Sequence, residues 1–193
     1  MGGDSMTVTR ILGIDPGIAR MGYGVVDVER SRLRAVTYGC IETSASLDVP
    51  NRLNEIYCEL SKIISEHHPH VMAIEELFFY RNTTTAFVVG QARGIAILAG
   101  VQGGLEFAEY TPMQVKQAVS GYGKADKKQV QEMVRMLLNL TATPKPDDTA
   151  DALAVAITYA HSAALRQAIS LNKKQTQSRG VNYSYPKGQI RHP

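Results

Sequence analysis

An α/β domain built on a mixed sheet is the fold this sequence predicts, on three observations. The chain opens with three consecutive strand patterns at hairpin spacing, helical and strand patterns then alternate, and the last third is helical. At 193 residues and 44% hydrophobic, the chain can bury one sizeable core without metal or disulfide staples. The expected organisation is a flexible start over residues 1–9, one domain over 10–169 with helices on both faces of its sheet, and a basic, flexible tail over 170–193.

Each element has a local reason. Ile11 to Ile14 is a short apolar run ending on Asp15, where Pro16 and Gly17 turn the chain, so a first strand of about 10–15 carries its carboxylate at the rim. Alternation predicts a second strand over about 22–29 and a third over about 33–42, antiparallel in sequence. Gly22 and Gly24 in the second suggest a sheet face left open for a bulky ligand. Leu53, Ile56, Tyr57, Leu60, Ile63 and Ile64 recur at helical spacing over 51–66, closed by His67, His68 and Pro69. A fourth, parallel strand follows from Val71 and ends on Glu75. A long helix over 81–100 has Ala86, Val89, Gly90, Arg93, Gly94, Ile97 and Leu98 near one side, and its small residues imply close approach by another element. A strand over 105–110 leads to Thr111 and Pro112, an N-cap with proline in the first turn. Gly121 and Gly123 interrupt that helix, another spans about 126–139, and the last covers about 148–169.

Composition narrows the chemistry. The net charge of +3 divides unevenly: residues 162–193 hold six basic side chains and no acid, which leaves −3 on the rest. A basic tail on a mildly acidic body suits a nucleic-acid partner or serves solubility. Cys40 and Cys58 are the only cysteines, and no early stretch has the form of a signal or membrane span, which fits a cytoplasmic location without membrane contact. No G-x-x-x-x-G-K-[ST], closely spaced cysteine set or G-x-G-x-x-G after the first strand occurs, so the simplest NTPase, zinc and dinucleotide readings fall away.

Acids at element ends carry the strongest signal. Asp15 and Glu75 each close a strand and can share one sheet edge. Asp148 and Asp151, three apart, share a face of the final helix, with Asp147 as an N-cap or outer residue. Packed together, such carboxylates need a common countercharge, and oxygen ligands suit Mg²⁺, with Mn²⁺ as a substitute. Two ions would activate water and stabilise a leaving 3′ oxygen. Simpler roles compete: an Asx turn at Asp15, and the preference of acids for a helix N-terminus at Asp148 and Asp151. Lys116, Lys124, Lys127, Lys128 and Arg135 form a basic cluster suited to phosphates or to a solvated helix face. Phe78, in the Leu-Phe-Phe-Tyr run after Glu76, can wedge between bases, with core packing as its alternative and that of Phe79. His67, His68 and His70 read as a helix cap and loop in preference to a metal site.

Gly13-Ile14-Asp15-Pro16-Gly17, Ala73-Ile74-Glu75-Glu76, Gly90-Gln91-Ala92-Arg93-Gly94, Val115-Lys116-Gln117 and Asp148-Thr149-Ala150-Asp151-Ala152-Leu153-Ala154 closely resemble the bacterial RuvC family of Holliday junction resolvases. The resemblance covers about residues 10–161. It implies a ribonuclease H-like fold, a homodimer, and Mg²⁺-dependent paired symmetric nicking of four-way junction DNA that leaves 5′-phosphate and 3′-hydroxyl ends. It also implies cooperation with RuvA and RuvB. Asp15, Glu75, Asp148 and Asp151 match the family's catalytic carboxylates, Phe78 its residue at the unstacked junction centre, and Lys116 and Lys127 its phosphate contacts. The fourth metal-site position is histidine in some relatives and aspartate here.

A nuclease of the same fold acting on RNA or RNA–DNA hybrid, and a non-catalytic binder of branched nucleic acid, are the competing functions. A sugar-kinase or actin-like ATPase shares the glycine-flanked acidic turn, but this chain lacks the second domain and phosphate loop. The helix over 81–100 is the expected dimer interface, through Ala86, Gly90 and Gly94 with Phe87, Ile97 and Leu98.

Overall fold

The computed structural model describes residues 8–77 and 83–178. Five strands and five helices follow the expected order: β1 (Thr9–Asp15), β2 (Arg20–Glu29), β3 (Arg32–Glu42), α1 (Val49–His67), β4 (Val71–Glu75), α2 (Thr83–Gln102), β5 (Glu106–Tyr110), α3 (Pro112–Ser120), α4 (Lys127–Leu137) and α5 (Asp147–Ser178). The sheet runs β3-β2-β1-β4-β5. β1 is antiparallel to β2 and parallel to β4, and β4 is parallel to β5, so the sheet is mixed.

Strand alternation sorts side chains into two cores. Ile11, Val26 and Ala73 face α3, α4 and α5, with Val115, Val134 and Leu153 among their partners. Leu12, Ile14, Met72 and Ile74 face α1 and α2, packing with Ile56, Leu60, Ala92 and Ala96. The sheet is therefore covered on both sides, as the sequence predicts.

Caps explain several boundaries. Asp48 accepts from the Asn51 N–H at 3.0 Å and a proline occupies the first turn, so α1 starts two residues before the expected Asn51. Its end is a left-handed His68, whose N–H reaches the Ile64 carbonyl. Thr111 with Gln114 and Asp126 with Gln129 form reciprocal capping boxes at α3 and α4. α5 continues to Ser178, nine residues beyond the expected Ile169. The expectations for residues 1–7 and 179–193 lie outside the described residues, whereas Thr9, placed by the sequence in the flexible start, already belongs to β1.

One face assignment is corrected. On α2 it is Ala92, Ala96 and Ala99 that are buried against the sheet, and Ile97 packs against the same core. Gly90 and Gly94 look onto open space, and Phe87 is 71% exposed. Arg93 turns away from that glycine face: its Nη2 donates to Glu109 at 2.5 Å and its Nε to the Glu75 carbonyl at 3.4 Å. The alanine and glycine stripes are both made of small residues, so hydrophobicity alone could not separate them.

Candidate active site

Two of the acids meet because of strand parity. Ile11, Gly13 and Asp15 alternate onto the α5 side of β1, and Val71, Ala73 and Glu75 follow the same rhythm on β4. Ile14 pairs with Ile74 in the parallel register. Asp15 and Glu75 are the next residues on neighbouring strands, on one face and at one sheet edge.

The other two acids arrive because α5 lies almost in contact with the sheet backbone. A Cβ on Gly13 would stand 2.1 Å from the Ala152 carbonyl oxygen, and one on Gly22 only 1.9 Å from that of Asp148. A Cβ on Gly24 would meet Leu153 Cδ2 at 2.6 Å. These glycines therefore seat a helix. The expectation that they open the sheet to a ligand is overturned, because the N-terminal turns of α5 fill that space and carry Asp148 and Asp151 to Asp15. Gly13→Ala should destabilise the protein by about 2–3 kcal/mol, since a backbone carbonyl cannot step aside without moving the helix. Thermal and denaturant unfolding against Met136→Ala, a change at an exposed position of α4, would measure it; equal stability would show that α5 has slack.

Electrostatics set this cluster apart. Asp15 is pushed up to about 7, first by burial, then by Asp151, Glu75 and Asp148, with Lys127 pulling the other way. Glu75 also rises to about 7, chiefly through burial and then Asp151, opposed by Lys116 and Lys127. Asp151 is raised by burial in spite of its pairing with Lys127. Asp27 supplies a contrast within the same sheet: hydrogen bonds from Arg10 hold its carboxyl below the ordinary range, at 2.7 Å from Nε. Neither Asp15 nor Glu75 has an ion pair or side-chain hydrogen bond among the described residues. Half-buried like charges without such partners are a site awaiting positive charge.

Cations line its borders. Lys127 Nζ lies 3.0 Å from Asp151 and 3.6 Å from Asp147, which Lys145 also contacts at 2.8 Å. Lys116 and Lys127 line a cleft of about 180 Å³ with Glu75, Asp151, Val115 and Val130. Of the remaining basic cluster, Arg135 is tied to Glu132 at 2.5 Å and to the Leu140 carbonyl, which engages it at the end of α4. Asp126 caps α4.

The donor set fits a hard divalent cation: Asp15 feels the charges of Asp151, Glu75 and Asp148, and three of these four carboxyls are raised, chiefly by burial and then by one another. Among the described residues no three His, Cys, Asp or Glu side chains already form a cage. Asp147 is the first residue of α5, paired with Lys127 and Lys145. The loop reading holds for His70, whose Nδ1 accepts from the Arg10 N–H at 2.9 Å, and the backbones of His67 and His68 close α1, with the His67 carbonyl accepting from Arg10 Nη1. Phe78 and Phe79 lie outside the described residues. Sequence reading missed Arg20, whose Nε is 3.4 Å from Asp148, and gave Arg93 no role at the site, where its Nε reaches the Glu75 carbonyl at the end of β4.

A family model described as crossover junction endodeoxyribonuclease RuvC matches residues 11–159. A protein of that description from Alkaliphilus metalliredigens is 59% identical over 152 residues, covering 79% of this chain and 93% of its own length. One from Desulfitobacterium hafniense is 60% identical over 152 residues, covering 79% and 92%. Among solved structures, Thermus thermophilus RuvC in complex with Holliday junction substrate superposes with a TM-score of 0.78 at 38% identity, over 81% of this chain and 96% of that one.

Proposed function

The chain belongs to the RuvC family of crossover junction endodeoxyribonucleases, and on that premise we propose how it resolves four-way DNA junctions: Asp15, Glu75, Asp148 and Asp151 bind divalent cations and direct paired, symmetric hydrolysis of opposed strands. The observation that carries this reading is the gathering of the four acids by strand parity and a glycine-seated helix, with two of them raised to about 7. Mg²⁺ is the preferred ion, Mn²⁺ a substitute, and two ions per site match the number of carboxylates. Bound there, such ions supply an activated water and charge neutralisation at the leaving 3′ oxygen, giving 5′-phosphate and 3′-hydroxyl ends.

The chain's own groups do the rest. Asp15 and Glu75 shed protons that burial favours and orient oxygen donors from a rigid sheet edge. Asp151 is the most adaptable of the four, because Lys127 already balances it. Lys116 and Lys127 grip phosphates across the cleft, Phe78 wedges at the junction centre, and the tail adds positive charge. A homodimer through α2, cooperation with RuvA and RuvB, and action in the cytoplasm complete the proposal. Among the described residues no helix is long and apolar enough to cross a membrane.

A defined four-way junction, a linear duplex, an RNA–DNA hybrid and a single strand, each incubated with Mg²⁺ and with a chelator, test the reading. Cation-dependent cleavage of the junction far above the others is expected; preferred cleavage of the hybrid would point to the ribonuclease alternative. Lys116→Ala should weaken junction binding by roughly 3–10-fold and reduce the salt slope by about one phosphate contact. Lys127→Ala should do the same and also lower the cleavage rate, since it uncovers Asp151. Binding isotherms across a salt series decide this, and unchanged affinity and slope in both variants would return these lysines to a solvated face.

A further inference from the structure

The acids lie where the ends of β1 and β4 meet the start of α5, and the cations assigned so far stand on the β4 side. Lys116 and Lys127 line the cleft with Glu75 of β4, whereas β2 flanks β1 on its opposite side. Arg20 is the first residue of β2, on that otherwise unassigned rim.

Its surroundings hold its backbone firmly and its charge loosely. The turn before it is tight: a Cβ on Gly17 would stand 2.2 Å from the Arg20 carbonyl oxygen. The turn is also tied to the end of β3, since Thr43 Oγ1 donates to the Ile18 carbonyl at 2.6 Å and the Thr43 N–H to that of Ala19 at 3.2 Å. The Arg20 side chain is 54% exposed and approaches Asp148 through Nε at 3.4 Å. It makes no hydrogen bond among the described residues, and no ion pair with Glu42, its register partner on β3. An exposed contact of this kind is worth at most about 1 kcal/mol, so it yields readily to a better anion. A guanidinium fork matches phosphate oxygens bidentately, which an aspartate reached through Nε alone does not use.

We infer that Arg20 is a substrate-binding residue that grips one backbone phosphate of the bound DNA strand from the β2 rim, opposite Lys116 and Lys127. This rests on the reading of the cleft as the place where a DNA strand is cut. The strand then crosses the acids with cations on both sides, which offsets the repulsion between its phosphates and the carboxylates and fixes its register. Acting only as a brace for Asp148 is the alternative role for Arg20, and the two differ in what they do to binding.

Junction affinity is measured in Ca²⁺ over a salt series for the parent, Arg20→Ala, Arg20→Lys, Asp148→Asn and the Arg20→Ala/Asp148→Asn pair. Arg20→Ala should weaken binding by roughly 3–10-fold and lower the salt slope by about 0.9, with Arg20→Lys restoring most of the slope. The same loss should appear in the Asp148→Asn background, where no carboxylate remains to be braced. A scan of single methylphosphonate substitutions along the strand should find one position that weakens the parent but not Arg20→Ala. Unchanged affinity and slope, or a binding loss that vanishes once Asp148 is asparagine, would overturn the assignment. Failure of the parent to cut the junction in Mg²⁺ would instead count against the cleavage reading, because the binding series needs no cleavage.

Discussion

Asp15→Asn should leave junction binding within about twofold of the parent and lower the cleavage rate by about three orders of magnitude or more. The side chain lies within reach of the charges of Asp151, Glu75 and Asp148, so on the proposed reading its loss removes an ion ligand while Lys116 and Lys127, which border Glu75 and Asp151, stay in place. Glu75→Gln should behave alike. A pH signature accompanies the loss. Asp15 and Glu75 are both raised to about 7, so protons compete with cations below that value. With limiting Mg²⁺, cleavage should climb as pH rises through about 7 and level off above it, and saturating Mg²⁺ should move the rise to lower pH. Stability in a chelator has the opposite sign. A carboxyl raised in the folded state binds more protons folded than unfolded between about pH 4 and 7, so these groups disfavour the folded state increasingly over that window. Asp15→Asn should therefore stabilise the chelated protein by about 1–3 kcal/mol at pH 8, reduced from the full shift by solvent screening and coupling, and by almost nothing near pH 4. Parent-rate cleavage by the folded variant would sink the assignment.

The sheet half of this site was legible in the sequence because parity and strand ends are local properties. Asp15 closes an apolar run, Glu75 closes another, and alternation places both on one face. The helix half was legible in part: the spacing of Asp148 and Asp151 gave a shared face, but not what that face rests on. Gly13, Gly22 and Gly24 were visible as an anomaly in strands, and one sequence cannot say whether a ligand or a helix backbone fills the space above them. Arg20 was out of reach, because its contact with Asp148 joins residues 128 positions apart and nothing in its own turn marks it. The expected end of α5 fell short for a related reason. Beyond Ile169 only Leu171 is apolar as far as Ser178, and a periodicity argument loses its signal there although the helix continues to Ser178.

Gly90→Leu should convert a dimeric parent to monomers, weakening self-association by a factor of about 100 or more, and should replace paired nicks by independent single ones. Phe87, Gly90, Gly94, Leu98 and Val101 recur at intervals of three and four along α2, opposite the alanines that meet the sheet. Phe87 is 71% exposed, Val101 60% and Leu98 45%, and a Cβ at either glycine would meet nothing within 4 Å. Each glycine costs an exposed helix about 1 kcal/mol relative to alanine, and packing among the described residues returns none of it. Close approach by the same helix of a second copy would, because two-fold symmetry sets each glycine pair against its equivalent and lets the flanking apolar side chains bury one another. The open space has a practical consequence. Leucine at position 90 cannot overpack the subunit's own core, so its thermal stability at low concentration should match or exceed that of the parent subunit, and a loss of assembly cannot be blamed on misfolding. Two equivalent clefts on a two-fold axis then account for opposed nicks made by a chain that carries one set of Asp15, Glu75, Asp148 and Asp151. Solution mass across a concentration series, with strand-specific kinetics on a symmetric junction, checks both parts. A parent that stays monomeric yet makes both nicks at full efficiency would remove the dimer from the mechanism, and a Gly90→Leu variant that remains dimeric would move the interface off this face of α2.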